Sequence, residues 1–176
     1  MSLSTKELTV FSIIAAIMIL PTATAFKIIP NVHMLGLIIA ACTLTYRTKA
    51  LIPLYIYILL EGFFKRFSLS WIPYLYIWLP IWFAFMIVGK IKLPKKIQVP
   101  LFMFLCGLHG LAFGTLYAPA HALIYGLNFN GMVAWIIAGL PFDIIHAIGN
   151  IAAATLIIPL SVLMIKLSKG QYRQTT

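Results

Sequence analysis

Length and composition define the class of this protein. The chain has 176 residues, of which 62% are hydrophobic and only 9% are charged, a composition outside the range of soluble globular domains. It predicts an integral membrane protein with no room for a separate soluble domain, since each spanning helix takes about 20 residues. The net charge of +10 falls mostly between apolar runs, where basic residues anchor a protein at the membrane surface. Nucleic-acid binding is therefore not needed to explain it.

The apolar runs are interrupted by charges and by glycine and proline, and together they predict one all-α membrane domain, residues 1–176, built as a six-helix bundle. The predicted spans are residues 7–25, 33–46, 50–63, 71–89, 99–118 and 139–167. Residues 119–138 are uncharged but contain Pro119, Gly126, Asn128 and Gly131. This segment is therefore predicted to be a loop and a short helix rather than part of a span.

The distribution of lysine and arginine predicts the orientation in the membrane. Six spans place both termini on one side, and 10 of the 13 basic residues then lie on that side, against three opposite (Lys27, Lys65 and Arg66). Basic residues are enriched in cytoplasmic loops. The expected topology is a multi-pass protein of the cell membrane with both termini in the cytoplasm.

The sixth span carries polar residues that a membrane helix needs a reason to hold. Asp143, His146 and Asn150 are spaced i, i+3, i+7, so they share one helix face. An aspartate at the centre of a bilayer costs about 2.5–3.5 kcal/mol on insertion scales, and the chain has only three acidic residues. This face predicts either a ligand-binding site or a buried polar contact that fixes helix packing.

Further polar and aromatic residues gather at the ends of the spans that the topology places outside. With Asp143, His146 and Asn150, they predict an outward-facing pocket with aromatic walls and a few converging polar groups. The other predicted binding residues are Asn31, His33, Glu61, Trp71, Tyr74, Trp78, Tyr117, His121 and Trp135. For Trp71 and Tyr74, an aromatic belt at the membrane interface is an equal alternative. The spacing predicts no metal site and no cofactor.

Two features of span five have a packing interpretation. Gly110 and Gly114 form a small-xxx-small pair, which permits close contact between membrane helices. His109 lies beside them and is interpreted as a hydrogen-bonded packing residue rather than a ligand.

The whole chain resembles the substrate-binding (S) components of energy-coupling factor transporters. The resemblance rests on six short spans in fewer than 200 residues, on residues 29–32 (Ile-Pro-Asn-Val) and on the stretch Ala134–Asn150. It implies a non-enzymatic subunit that captures a small water-soluble vitamin or related micronutrient outside the cell. It also implies partners: a transmembrane coupling subunit and two cytoplasmic ATPases. No Gly-x-x-x-x-Gly-Lys-Ser/Thr phosphate loop is present in the sequence, which agrees with an energy source on another chain.

The family's first helix carries an Ala-xxx-Ala patch for docking onto the coupling subunit, and Ser12-xxx-Ala16 is the nearest match here. Aromatic walls suit a flat ring, and carboxylates suit a ligand with N–H or O–H donors. Among the family's substrates, these features favour a B6 vitamer or a hydroxymethylpyrimidine-type thiamin precursor. Two other classes stay open: an intramembrane enzyme using Asp143 and His146, and a structural membrane protein without a ligand.

Overall fold

The computed structural model describes residues 3–23 and 34–170, and these are helical nearly throughout. The helices are Thr5–Ala23 (α1), Leu35–Tyr46 (α2), Leu51–Phe64 (α3), Tyr74–Ile77 (α4), Leu79–Val88 (α5), Lys95–Leu111 (α6), Phe113–Tyr125 (α7), Phe129–Ala154 (α8) and Ile157–Gly170 (α9). A short 3-10 turn, Arg47–Ala50, joins α2 to α3, and a second, Leu69–Trp71, precedes α4. The predicted all-α class is confirmed for the described residues.

Four helical stretches of the described chain are long and apolar enough to cross a membrane. They are Leu35–Phe64, Leu69–Val88, Lys96–Tyr125 and Phe129–Ala154. Large apolar side chains also cover the outside of the bundle: Phe104 is 62% exposed and Ile148 is 63% exposed. Soluble monomers rarely expose apolar surface on this scale. Both observations indicate a multi-pass membrane protein whose outer faces contact lipid.

Within Leu35–Phe64 the chain reverses direction at the 3-10 turn. Arg47 has a φ of 55° there, and its Nη2 donates to the carbonyl oxygen of Met86, near the end of α5, at 2.5 Å. At the far end of α3, the indole N–H of Trp71 donates to the carbonyl oxygen of Ile58 at 2.7 Å. The turn and the end of α5 therefore share one end of the bundle, and the end of α3 lies at the other.

The same two ends organise the remaining helices. Lys49 in the turn forms an ion pair with Glu7 at the start of α1, and α1 packs along α3. Along the described chain, the helices therefore form six rods of alternating direction: α1, α2, α3, α4–α5, α6–α7 and α8–α9. We refer to the end that contains Glu7 and Lys49 as the basal end, and to the end that contains Trp71 as the distal end.

The α6–α7 rod packs antiparallel along α8 through glycines. A Cβ added at Gly107 would lie 2.6 Å from the Ile151 side chain, and one added at Gly110 would lie 2.8 Å from the Cα of Ala147. Both distances are shorter than real side chains adopt, so the two helices approach closely because these positions have no side chain. This contact fixes the register of α8 against α7, where the candidate site lies.

The prediction of a loop and a short helix for residues 119–138 is wrong. Pro119 lies inside α7, and only residues 126–128 separate α7 from α8. Gly126 ends α7 with a φ of 68°, and the side chain of Asn128 caps α8 by accepting from the N–H of Gly131 at 2.8 Å. The turn signals were present, but they mark two helix ends three residues apart. Helical structure also breaks at Thr155–Leu156, so residues 139–167 contain the end of α8 and most of α9.

Candidate functional site

A cavity of about 370 Å³ lies at the distal end, between the residues around α4, the α6–α7 rod and α8. This volume is in the range of small-molecule sites. Its walls combine aromatic rings with a few polar side chains. The lining residues are Ser70, Tyr74, Trp78, Phe113, Gly114, Tyr117, His121, Tyr125, Trp135, Gly139, Phe142, Asp143 and His146.

Asp143 is the acidic side chain of the cavity wall. It is 5% exposed, and both of its carboxylate oxygens accept from the backbone N–H of Gly114 at 3.1 Å. Gly114 lies in the first turn of α7, where backbone N–H groups lack partners within the helix. An ionised carboxylate offers about four acceptor positions, and a single N–H occupies few of them. The carboxylate is thus held by the backbone of α7 and still has acceptor positions that a ligand could use.

The anchor depends on glycine at position 114. A Cβ built there would collide with Oδ2 of Asp143. By contrast, a Cβ at Gly139, which lines the same cavity one turn before Asp143, meets nothing within 4 Å. The absence of a side chain at Gly114 is therefore what allows the carboxylate to reach the end of α7.

Aromatic side chains from α7 and α8 stack along one wall. The rings of Tyr117 and Trp135 lie 5.7 Å apart with an interplanar angle of 18°, and His121 stacks on Trp135 at 4.6 Å and 27°. Phe113 meets the imidazole of His146 edge-on at 4.9 Å. Such rings can hold a flat ligand by stacking, while the imidazoles add hydrogen-bonding groups.

A hydrogen bond joins two walls of the cavity at the distal end. The hydroxyl of Tyr117 donates to the carbonyl oxygen of Ser70 at 2.6 Å, so the segment before α4 is fixed to α7. Next to it, the ammonium of Lys65 donates to the hydroxyl of Tyr74 at 3.1 Å and lies 4.2 Å from the centre of its ring. Lys65 also forms an ion pair with Glu61 at 2.7 Å.

Most of the predicted site residues lie around this cavity. Those that line it are Tyr74, Trp78, Tyr117, His121, Trp135, Asp143 and His146. Glu61 does not line the cavity. It forms an ion pair with Lys65, which in turn donates to the lining residue Tyr74. The indole of Trp71 is bonded to the backbone of α3. The predicted residues Asn31 and His33 lie outside the described residues.

Asn150 is the member of the predicted helix face that does not line the cavity. It is 2% exposed and packs where α8 crosses Gly36 of α2 and Gly110 of α6. Within the described residues, its amide has no hydrogen-bond partner. His109, interpreted above as a packing residue, bonds through Nε2 to the carbonyl oxygen of Ile77 at 2.8 Å and stacks on Trp78.

Sequence reasoning missed several lining residues: Ser70, Phe113, Gly114, Tyr125, Gly139 and Phe142. Helical spacing contained part of this signal, because Phe113 and Tyr125 share a face with Tyr117 and His121 at intervals of four residues. Gly139 likewise lies four residues from both Trp135 and Asp143. No comparable signal connects Gly114 with Asp143, which come together only when α7 packs on α8.

Within the described part of the chain, no three His, Cys, Asp or Glu side chains come together as a metal-ligand group. No protein-family model matches the chain, and neither a curated protein nor a solved structure matches it.

Proposed function

We propose that this protein is a membrane-embedded substrate-binding subunit of an energy-coupling factor transporter, which captures a small vitamin-like molecule in the distal cavity. The observation that carries the proposal is the Asp143 carboxylate. It is buried in an aromatic-walled cavity, anchored by the backbone of Gly114, and still able to accept hydrogen bonds. A carboxylate that only joined α7 to α8 would have no need to face a cavity of this volume.

The lining residues favour a particular class of ligand. Among the described side chains that line the cavity, Asp143 is the acidic one and neither lysine nor arginine is present. A multiply anionic molecule would therefore be repelled, whereas a flat ring with N–H or O–H donors can stack and donate to the carboxylate. A B6 vitamer and a hydroxymethylpyrimidine-type thiamin precursor both have this chemistry.

The charge distribution supports uptake from outside. Arg47 and Lys49 lie in the basal turn, and Lys90, Lys92, Lys95 and Lys96 lie at the basal end around the junction of α5 and α6, whereas Lys65 and Arg66 follow α3 at the distal end, beside the cavity. Because basic residues concentrate on the cytoplasmic side, the proposed orientation has both termini in the cytoplasm and the cavity open to the outside. In this proposal the chain is not an enzyme, and energy comes from a transmembrane coupling subunit and two cytoplasmic ATPases.

The first helix offers a surface for such a partner. Ser12 and Ala16 lie on the exposed face of α1, whereas Phe11, Ala15 and Met18 face the core. Two small exposed residues one turn apart permit close approach of another helix. Docking of the coupling subunit at this face is what the resemblance implies.

The direct test is mass spectrometry of the small molecules that co-purify with the protein in detergent. We expect one vitamin-like heterocycle at about one molecule per chain, rebinding after removal with a Kd low enough for uptake. If nothing is retained and neither pyridoxine nor hydroxymethylpyrimidine binds in calorimetry, the proposal is wrong and a structural role is favoured. If the purified protein turns the molecule over, the intramembrane enzyme is the correct class.

A further inference from the structure

Lys65 connects a buried carboxylate to the wall of the cavity without lining the cavity itself. Its ammonium lies 2.7 Å from Oε1 of Glu61 and donates to the hydroxyl of Tyr74 at 3.1 Å. The side chain of Glu61 is only 1% exposed, whereas that of Lys65 is 37% exposed. Tyr74 lines the cavity, but Glu61 and Lys65 do not.

Stability alone does not account for this arrangement. Burying the Glu61 carboxylate is costly, and an ion pair repays such a cost only when its geometry is excellent. The contact of Lys65 with Tyr74 supplies a reason for the ion pair. An ammonium has three N–H donors, so Lys65 can bond to Glu61 and to Tyr74 at the same time.

We propose that Lys65 is a positioning residue that sets the hydrogen-bonding role of Tyr74 in the cavity. Because Lys65 donates to the phenol oxygen, the hydroxyl hydrogen of Tyr74 remains to donate to a ligand. Glu61 neutralises the ammonium, so the cavity keeps the negative character given by Asp143.

This inference rests on the proposed binding function and narrows the ligand class. Asp143 accepts a hydrogen bond, and Tyr74 donates one. The ligand is then a flat ring that has an acceptor, such as a ring nitrogen, as well as a donor. A ring with donors alone would leave the Tyr74 hydroxyl unpaired, and a buried unpaired group weakens binding.

The test uses the double variant Glu61→Gln/Lys65→Met. Lys65→Met alone would leave Glu61 buried without its partner and lower Tm for that reason, whereas the double variant removes both charges together. Arg66→Met is the matched control, since Arg66 follows Lys65 on the same exposed loop. Tyr74→Phe removes the hydroxyl that Lys65 is proposed to hold.

The first readout needs no ligand. The ultraviolet resonance Raman doublet of tyrosine reports whether a phenol oxygen accepts or donates a hydrogen bond, and subtracting the spectrum of Tyr74→Phe isolates Tyr74. We expect the acceptor signature in the wild type and in Arg66→Met, and its loss in the double variant. An unchanged Tyr74 signature in the double variant would overturn the inference.

The second readout is calorimetric titration with hydroxymethylpyrimidine and with pyridoxine. The double variant and Tyr74→Phe should each weaken binding about tenfold, and combining them should add nothing further, because both remove one interaction. Additive losses, or wild-type affinity in the double variant, would refute the role of Lys65. If neither probe binds the wild type, the proposed ligand class fails, while the Raman signature still decides whether Lys65 holds Tyr74.

Discussion

Asp143→Asn separates a ligand-binding role of the carboxylate from a packing role. The variant keeps the size and shape of the side chain, and its amide oxygen can still accept from the N–H of Gly114. It loses the charge and exchanges one acceptor oxygen for an NH₂ donor. The contact that joins α7 to α8 therefore survives, while the group offered to the cavity changes.

The expected magnitude follows from this geometry. A hydrogen bond to a charged group contributes about 1.5–3 kcal/mol, and each 1.4 kcal/mol corresponds to a factor of about ten in Kd. We therefore expect ligand affinity to fall by roughly tenfold to a hundredfold. The free energy of unfolding should change by less than about 1 kcal/mol, because the bond to Gly114 becomes neutral while the cost of burying a charge disappears.

The assay is calorimetric titration of the purified variant with the molecule found by mass spectrometry, together with thermal unfolding in detergent. Asn150→Ala is the matched control, because Asn150 lies on the same face of α8 but outside the cavity. It should alter Tm more than affinity. If Asp143→Asn instead lowers Tm and leaves the affinity of the folded protein unchanged, the carboxylate is structural and the reasoning is refuted.

Three further predictions test the anchor, the docking surface and the topology. Gly114→Ala should weaken binding at least tenfold, because the new Cβ displaces the Asp143 carboxylate. Gly139→Ala has open space around its Cβ and should leave Tm within a few degrees of wild type. If the two variants have equal effects on ligand affinity and on Tm, Gly114 does not anchor Asp143. Ser12→Trp combined with Ala16→Trp should block uptake in the complete transporter and spare binding by the isolated subunit, so normal uptake would exclude this face as the docking surface. A cysteine at Ser68 should react with an impermeant maleimide added outside intact cells, and one appended to the C-terminus should not; the reverse pattern would invert the topology.

The sequence predicted the rods of the bundle better than their joints. Charged residues at Arg47 and Lys49 correctly separated α2 from α3, although the backbone between them is helical without a gap. The error at residues 119–138 arose because helix-breaking and helix-capping residues are the same types. Pro119 lies within α7, where the membrane environment tolerates proline, while Gly126 and Asn128 end one helix and begin the next.

The candidate site could be predicted only as far as local spacing reaches. The period of an α-helix placed Asp143 and His146 on one face, and both line the cavity. The partner of Asp143 lies 29 residues earlier in the chain, so no pattern within α8 indicates it. The role of Lys65 is hidden for a similar reason, because its contact with Tyr74 depends on the path of the chain between α3 and α4.

The polar face of α8 was predicted to be either a binding site or a packing contact, and its residues lie in two different surroundings along the helix. Asp143 and His146 lie where α7 and the residues around α4 leave a cavity. Asn150 lies about two turns closer to the basal end than Asp143, where Gly36 and Gly110 bring α2 and α6 against it. Close packing leaves no room there for a vitamin-sized molecule. The same spacing on one helix thus places polar side chains in a cavity where the neighbouring helices separate, and in a close packing contact where glycines bring the helices together.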